Sequence, residues 1–202
     1  TGAGELPFVS QFGELISRGL NRCDEDSLAD FRLKYLNNLE KISGNNLIVT
    51  DKMPHNFRCI PLICAAIPEA KIIHVRRDPK ATCWSNFKQY FDTSGLGYCY
   101  NLKDIVEYYG LYNSYMKFLQ PQYNSQIYNL DYDSLTENQE RETKKIIKYL
   151  DLQWEETCLY PQNNDRSVRT ASQQQVRQKI YQGSSMEWKK YKIYLNNMFE
   201  KL

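Results

Sequence analysis

Apolar residues recur along the first forty positions with a helical rhythm. Phe8, Val9, Phe12, Leu15, Ile16 and Leu20 form a mixed apolar pattern that predicts an amphipathic helix over Leu6 to Leu20. Asp24 and Ser27 suit a helix start, and Leu28, Phe31, Tyr35, Leu36 and Leu39 follow at helical spacing up to Ser43-Gly44. The rhythm then changes. Leu47-Ile-Val-Thr50 is short, β-branched and bounded by Asn45-Asn46 and Asp51-Lys52, which predicts a buried strand. Pro54 to Ala66 reads as a helix, with Pro68 marking its end. A second buried strand begins at Ala70 and runs directly into the polar turn Arg76-Arg77-Asp78-Pro79.

Lys80 to Tyr90 reads as the next helix, Ser94-Gly-Leu-Gly97 as a loop, and Asn101 to Leu119 as a long helix rich in tyrosine. Gln126 to Asp131 is the third predicted strand, and Glu137 to Leu150 another helix. Beyond Trp154 the chain turns polar, becomes rich in Gln and Arg up to Tyr181, and closes with a helix expected over Ser184 to Leu202. Strands separated by helices predict βαβ crossovers and a parallel sheet, an α/β fold.

The 202 residues suit one domain, and 42% hydrophobic with 13% aromatic content supplies a core. No apolar run approaches the ~20 residues of a membrane helix. Lys plus Arg number 26 against 24 acidic residues, a formal +2, which does not single out nucleic acid or a membrane surface as partner. Six cysteines stand singly with no C-x-x-C pair, and two histidines are too few for a zinc cluster. The expectation is therefore free thiols in a reducing, cytoplasmic setting, with no metal.

Candidate chemistry lies at two predicted strand ends, where open α/β sheets bind ligands. Lys52 follows the first strand and precedes a Pro54-led helix with His55 in its first turn. Arg76 and Arg77 end the second, again before a Pro-led helix, with Ser85 eight residues beyond Arg77. A Pro-led helix N-terminus offers free amides to an anion, and a guanidinium grips phosphate-like groups bidentately. The blander alternative for Arg77 is a surface ion pair with Asp78, and for Lys52 a solvated side chain. Lys144, Lys145 and Lys148 read as a solvated helix face, and Tyr108 to Tyr115 as core and rim.

Asp51-Lys-Met-Pro-His-Asn-Phe57, followed by Ile67-Pro-Glu-Ala-Lys-Ile-Ile-His-Val-Arg-Arg-Asp-Pro-Lys-Ala-Thr-Cys-Trp-Ser85, resembles the sulfotransferases that use 3′-phosphoadenylyl sulfate (PAPS). The likeness is nearest to the tyrosylprotein-sulfotransferase-like and bacterial branch. It covers roughly residues 2 to 191. It implies a three-layer, P-loop-NTPase-like fold with a central parallel sheet between helices. Arg77 and Ser85 would hold the cofactor's 3′-phosphate, and Tyr132 would lie near the adenosine. The stretch from Val168 to Tyr191 resembles the cofactor-covering loop, which brings Ser172, Arg177 and Tyr181 to the cofactor, with Arg166 and Arg169 nearby.

By the same likeness Lys52 stabilises the leaving phosphate, and Glu5 matches the family's base. His55, with an unperturbed pKa near 6.5, is an independent candidate for that role. Two positions depart from the branch: Gln89, beside Lys88, stands where it has a basic residue, and Glu187 stands where it has a Lys beside the C-terminal Trp. The family's 5′-phosphosulfate loop has no counterpart here, so the chain reads as the larger C-terminal part of a single sulfotransferase domain, joined to an upstream segment or paired as a homodimer. The expected reaction moves a sulfuryl group to a hydroxyl or amine of a small-molecule or peptide acceptor. Two alternatives stay open: a non-catalytic module that binds adenosine bisphosphate, and a nucleotide kinase-like transferase, although no G-x-x-x-x-G-K-[ST] occurs.

Overall fold

The structure is a computed structural model, and it describes residues 1–44, 46–91, 95–164, 177–195 and 197–202. Two compact units carry them, Thr1–Ala70 and Lys71–Leu202.

In the first unit, β1 (Gly2–Gly4) pairs in parallel with β2 (Thr50–Asp51). Between them lie α1 (Phe8–Ser17) and α2 (Glu25–Ser43), the latter started by Asp24, whose side chain accepts from Ser27 N at 3.0 Å. Their apolar faces meet as the spacing predicts. Val9, Phe31, Tyr35, Ala66 and Ile67 form the buried cluster, and Phe12 stacks on Phe31 with ring centroids 4.5 Å apart.

The expected strand over Leu47 to Thr50 is corrected to Thr50–Asp51. Its ladder partners come only from Thr1 to Gly4, so Leu47 is fully exposed and Ile48 half-exposed. Nor does one helix span Pro54 to Ala66: a 3-10 segment, Pro54–Cys59, gives way to α3 (Ile60–Ala66). Pro61 forces the break, because its ring lacks an N–H and clashes with the carbonyl four residues earlier. Gly13 lets α1 lie close to this segment, since a Cβ there would sit 2.7 Å from Cys59 Sγ.

The second unit is built on β3 (Ile72–Arg76) and β4 (Ile127–Asp131), parallel and in register from Ile72 opposite Ile127 to Arg76 opposite Asp131. The crossover passes through α4 (Pro79–Phe87) and α5 (Leu102–Leu119), whose N-cap Asn101 accepts from two backbone amides. Asp131 in turn caps α6 (Tyr132–Glu137), which the apolar pattern did not reveal, and α7 (Gln139–Tyr149) follows a break at Asn138. The parallel α/β fold is thus as expected, with the strands in two small two-stranded sheets among the described residues. β3 is not buried on both faces, because Ile73 and Val75 are substantially exposed. A sheet two strands wide offers little surface for covering helices.

The C-terminal helix expected over Ser184 to Leu202 is instead two 3-10 stretches, Ser184–Tyr194 and Met198–Lys201. Three residues per turn aligns Ser185, Trp188 and Tyr191 on one side, and Tyr191 stacks on Trp84 of α4 at 4.5 Å. Cys83, Ile105, Leu195 and Phe199 are buried together beside them. All six cysteines are free thiols. Among the described residues no helix is long and apolar enough to cross a membrane.

Leu119, 1% exposed at the end of α5, tests the packing of that helix. Leu119→Ala should cost about 3 kcal/mol of unfolding free energy in urea denaturation; a loss under about 1 kcal/mol would show that the α5 packing is wrong.

Candidate functional site

β1 and β2 end side by side, with Lys52 N donating to Gly4 O at 2.8 Å. Glu5 leaves one strand and Lys52 the other, and their side chains form a short ion pair. Both are open to solvent, at 62% and 37% side-chain exposure for Lys52 and Glu5. Such a pair contributes little to stability, so its charges remain accessible to a ligand.

Asp51 braces this corner from beneath. Its Oδ1 accepts from Leu6 N at 3.3 Å and its Oδ2 from the Tyr35 hydroxyl at 3.0 Å. Burial pushes the Asp51 carboxyl above its ordinary value, and those hydrogen bonds oppose the shift. Burial first, then the neighbouring carboxylate, raises the Tyr35 phenol as well. In the sequence Asp51 is a strand boundary and the first residue of the Asp51-to-Phe57 motif, with no role of its own. Its signal was its position between a strand and Lys52, which does not distinguish a brace from a turn residue.

His55 is half-buried in the 3-10 segment. Burial and the Arg58 charge hold its imidazole below the ordinary value, with Glu5 pulling the other way. The neutral ring, able to accept a proton, is therefore the favoured form near neutrality. Next to it, Asn56 Oδ1 is a buried acceptor with no hydrogen-bond partner among the described residues.

In the second unit the register of β3 and β4 carries Arg77 and Tyr132 off the sheet together, one residue past each strand. The Arg77 guanidinium lies 5.1 Å from the centroid of the Tyr132 ring. Its Nε donates to Ser185 Oγ at 2.8 Å and its Nη2 to Ser184 Oγ at 2.9 Å, while the Ser185 hydroxyl donates to Asp133 Oδ1 at 2.5 Å. The surface-pair alternative for Arg77 finds no support here. Asp78 is spent capping α4, accepting from Ala81 N at 2.7 Å, and Arg77 makes no ion pair among the described residues.

Ser85 is half-buried on α4. Gln89 donates from Nε2 to Tyr90 O at 3.0 Å, and Lys88, at the end of α4, lies with its Nζ 2.5 Å from Glu187 Oε2. That pair draws the Glu187 carboxyl below its ordinary value and fastens the Ser184–Tyr194 segment to α4. Lys80 adds a cation 5.3 Å from the Trp188 ring.

Arg177 and Tyr181 are exposed. Ser172, Arg166 and Arg169 lie outside the described residues. Lys144 pairs with exposed Glu140 on α7, as a solvated face would, whereas Lys145 pairs with Glu142, which is buried. Ser184, Ser185 and Asp133 were missed in the sequence, where a Ser-Ser pair and an Asp one residue past Tyr132 carry no distinctive spacing.

A model of the sulfotransferase family matches residues 14–156. The chain belongs to the sulfotransferase family. The matched span includes Lys52, His55, Arg77, Ser85 and Tyr132; Glu5 precedes it, and Ser172, Arg177 and Tyr181 follow it. An uncharacterized protein of Aquifex aeolicus (strain VF5) is 32% identical over 214 aligned positions, which take in 98% of this chain and 28% of that protein. The chain therefore spans less than a third of that relative's length.

The strand that delivers Arg77 is itself clamped. His74 Nδ1 lies 2.9 Å from Oδ1 of Asn129, its register partner, and Nε2 lies 2.5 Å from the Tyr112 hydroxyl. With Asn129 accepting, the ring proton is assigned to Nδ1 and Tyr112 donates to Nε2. Burial, aided by Arg76 and opposed by the Asn129 bond, holds the His74 imidazole below its ordinary value, and burial pushes Tyr112 up to about 12.

The unfolded chain, with histidine near ~6.5, takes up these protons first as pH falls. The contribution to stability is then whole above ~6.5 and is lost as pH drops through the lower folded value. The urea midpoint should fall between about pH 7.5 and about pH 5, and His74→Gln should reduce that fall. An equal fall in both proteins would show that His74 is not held neutral by the fold.

Proposed function

We propose that the chain forms part of a PAPS-dependent sulfotransferase acting on a hydroxyl or amine acceptor. PAPS, when bound, supplies a sulfuryl group attached to a 5′-phosphate that departs as the group is transferred in line to the acceptor. The observation that carries this reading is the pairing of Arg77 with Tyr132 at the common end of β3 and β4, in a chain of the sulfotransferase family. Residues fit to hold such a nucleotide are on hand. Arg77 keeps N–H donors uncommitted among the described residues, Ser85 adds a hydroxyl on the following helix, and Tyr132 offers a ring to the adenosine side. Arg177, Tyr181 and Ser172 would complete the cover.

Sulfuryl transfer is close kin to phosphoryl transfer, in which the protein mainly positions groups and neutralises developing charge. Lys52 has that role at the leaving phosphate oxygen, where a single cation is worth roughly 3 kcal/mol of barrier, as for one oxyanion-hole donor. The acceptor's proton passes to Glu5, held against Lys52, or to His55, whose neutral ring accepts it.

Adenosine 3′,5′-bisphosphate should raise the melting temperature of the full-length protein, and Arg77→Ala should weaken its binding at least tenfold without loss of fold. Stabilisation by ATP but not by the bisphosphate would favour the kinase-like alternative. Lys52→Ala should spare bisphosphate binding and lower kcat by about 100-fold in radiolabelled sulfate transfer. Tight binding without any transfer would leave a nucleotide-binding module. Of Glu5→Gln and His55→Asn, the one that removes the acid limb of the kcat–pH profile identifies the base.

A further inference from the structure

Arg77, half-buried just past the end of β3, is held from two sides. Its guanidinium carbon lies over the Tyr132 ring, and two of its five N–H donors are engaged by the hydroxyls of Ser185 and Ser184. The two hydroxyls differ in what they have left. Ser185, 7% exposed, gives its proton to Asp133 at 2.5 Å, which makes its oxygen a stronger acceptor for Arg77 Nε. Ser184 accepts from Arg77 Nη2 and is half-buried, and among the described residues its own hydroxyl hydrogen goes to no acceptor. Three Arg77 N–H groups are likewise uncommitted among the described residues.

The segment bearing both serines is fixed in place by the Lys88–Glu187 pair and the Trp84–Tyr191 stack. The hydroxyls therefore do not depend on a free chain end for their position. A guanidinium already oriented by its neighbours loses less side-chain entropy when it meets an anion.

Resting on the nucleotide reading above, we propose that Ser184 is a direct ligand of the nucleotide's 3′-phosphate. The Asp133–Ser185 relay is the positioning device that aims Arg77 at the same group. Arg77 supplies charge and Ser184 a neutral donor beside it. Asp133 touches no phosphate, acting only through Ser185.

Calorimetric titration of the full-length protein with adenosine 3′,5′-bisphosphate and with adenosine 5′-monophosphate tests this, because the Kd for the monophosphate divided by the Kd for the bisphosphate isolates the 3′-phosphate. Ser184→Ala should lower that ratio about tenfold, and Ser185→Ala and Asp133→Ala about fivefold each. Affinity for the monophosphate should not change, and Ser185→Thr, which keeps the hydroxyl, should restore the ratio. A general loss of structure would weaken both nucleotides together and would not be rescued by Thr. If buried Ser185 does not tolerate Ala, Ser184→Ala decides alone.

An unchanged ratio in the serine variants, with Arg77→Ala still abolishing the preference, overturns this inference and leaves the nucleotide reading standing. A ratio that rises in Ser184→Ala also overturns it, since the hydroxyl would then be competing with phosphate for Arg77. A wild-type protein with no preference for the bisphosphate, and no effect of Arg77→Ala, removes the nucleotide reading itself.

Discussion

The arrangement of side chains around Arg77 depends on a parallel ladder of five residue pairs between β3 and β4. Side chains on neighbouring parallel strands stay abreast as long as the register holds, and a slip of one residue sends each to the opposite face. Here the register brings Arg76 level with Asp131, so that Arg77 and Tyr132 emerge together and Asp133 follows within reach of Ser185. Internal ties lock the ladder, above all His74 between Asn129 and Tyr112. The half-buried imidazole is satisfied at both nitrogens, as a polar ring withdrawn from water requires. Without that alignment Arg77 would be one more solvated cation.

The first unit solves a similar problem with much less sheet. Two residues of β2 and three of β1 are too few to hold a corner by themselves, and Asp51 compensates by tying the backbone of Leu6 and the phenol of Tyr35 to the strand end. A half-buried carboxylate is costly unless hydrogen-bonded, and its hydrogen bonds are what keep Lys52 and Glu5 facing each other. In both units a basic side chain stands near a half-buried acid that orients the local chain. Asp51 does this beside Lys52, and Asp133 beside Arg77 through a serine.

Glu187 alone would put a negative charge near the proposed anion site. Lys88, at the end of α4, neutralises it, and the pair fastens the C-terminal segment to the helix. An exposed pair of this kind contributes little stability alone. Its effect is positional, acting together with the Trp84–Tyr191 stack.

Much of the fold was legible in the residue pattern. α1, α2, α4, α5, α7, β3 and β4 all follow from periodicity and caps, because helix and strand rhythms are local properties of a sequence. The Lys52 and Arg77 strand ends were legible for the same reason, as charges placed where a strand stops and a Pro-led turn begins. Local patterns failed where partners at long range decide the outcome. Gly2–Gly4 is a strand only because Thr50–Asp51 lies beside it, Leu47 is exposed for want of a partner, and Ser184–Tyr194 winds as 3-10 turns against α4. The contacts of Arg77 belong to that second class. Ser184 and Ser185 are more than a hundred residues away from it, and no spacing rule links them. The sequence by itself determined which side chains are able to carry the chemistry. Tertiary structure alone decided which of them meet, since hydrogen-bond geometry over such separations is set by packing and strand register.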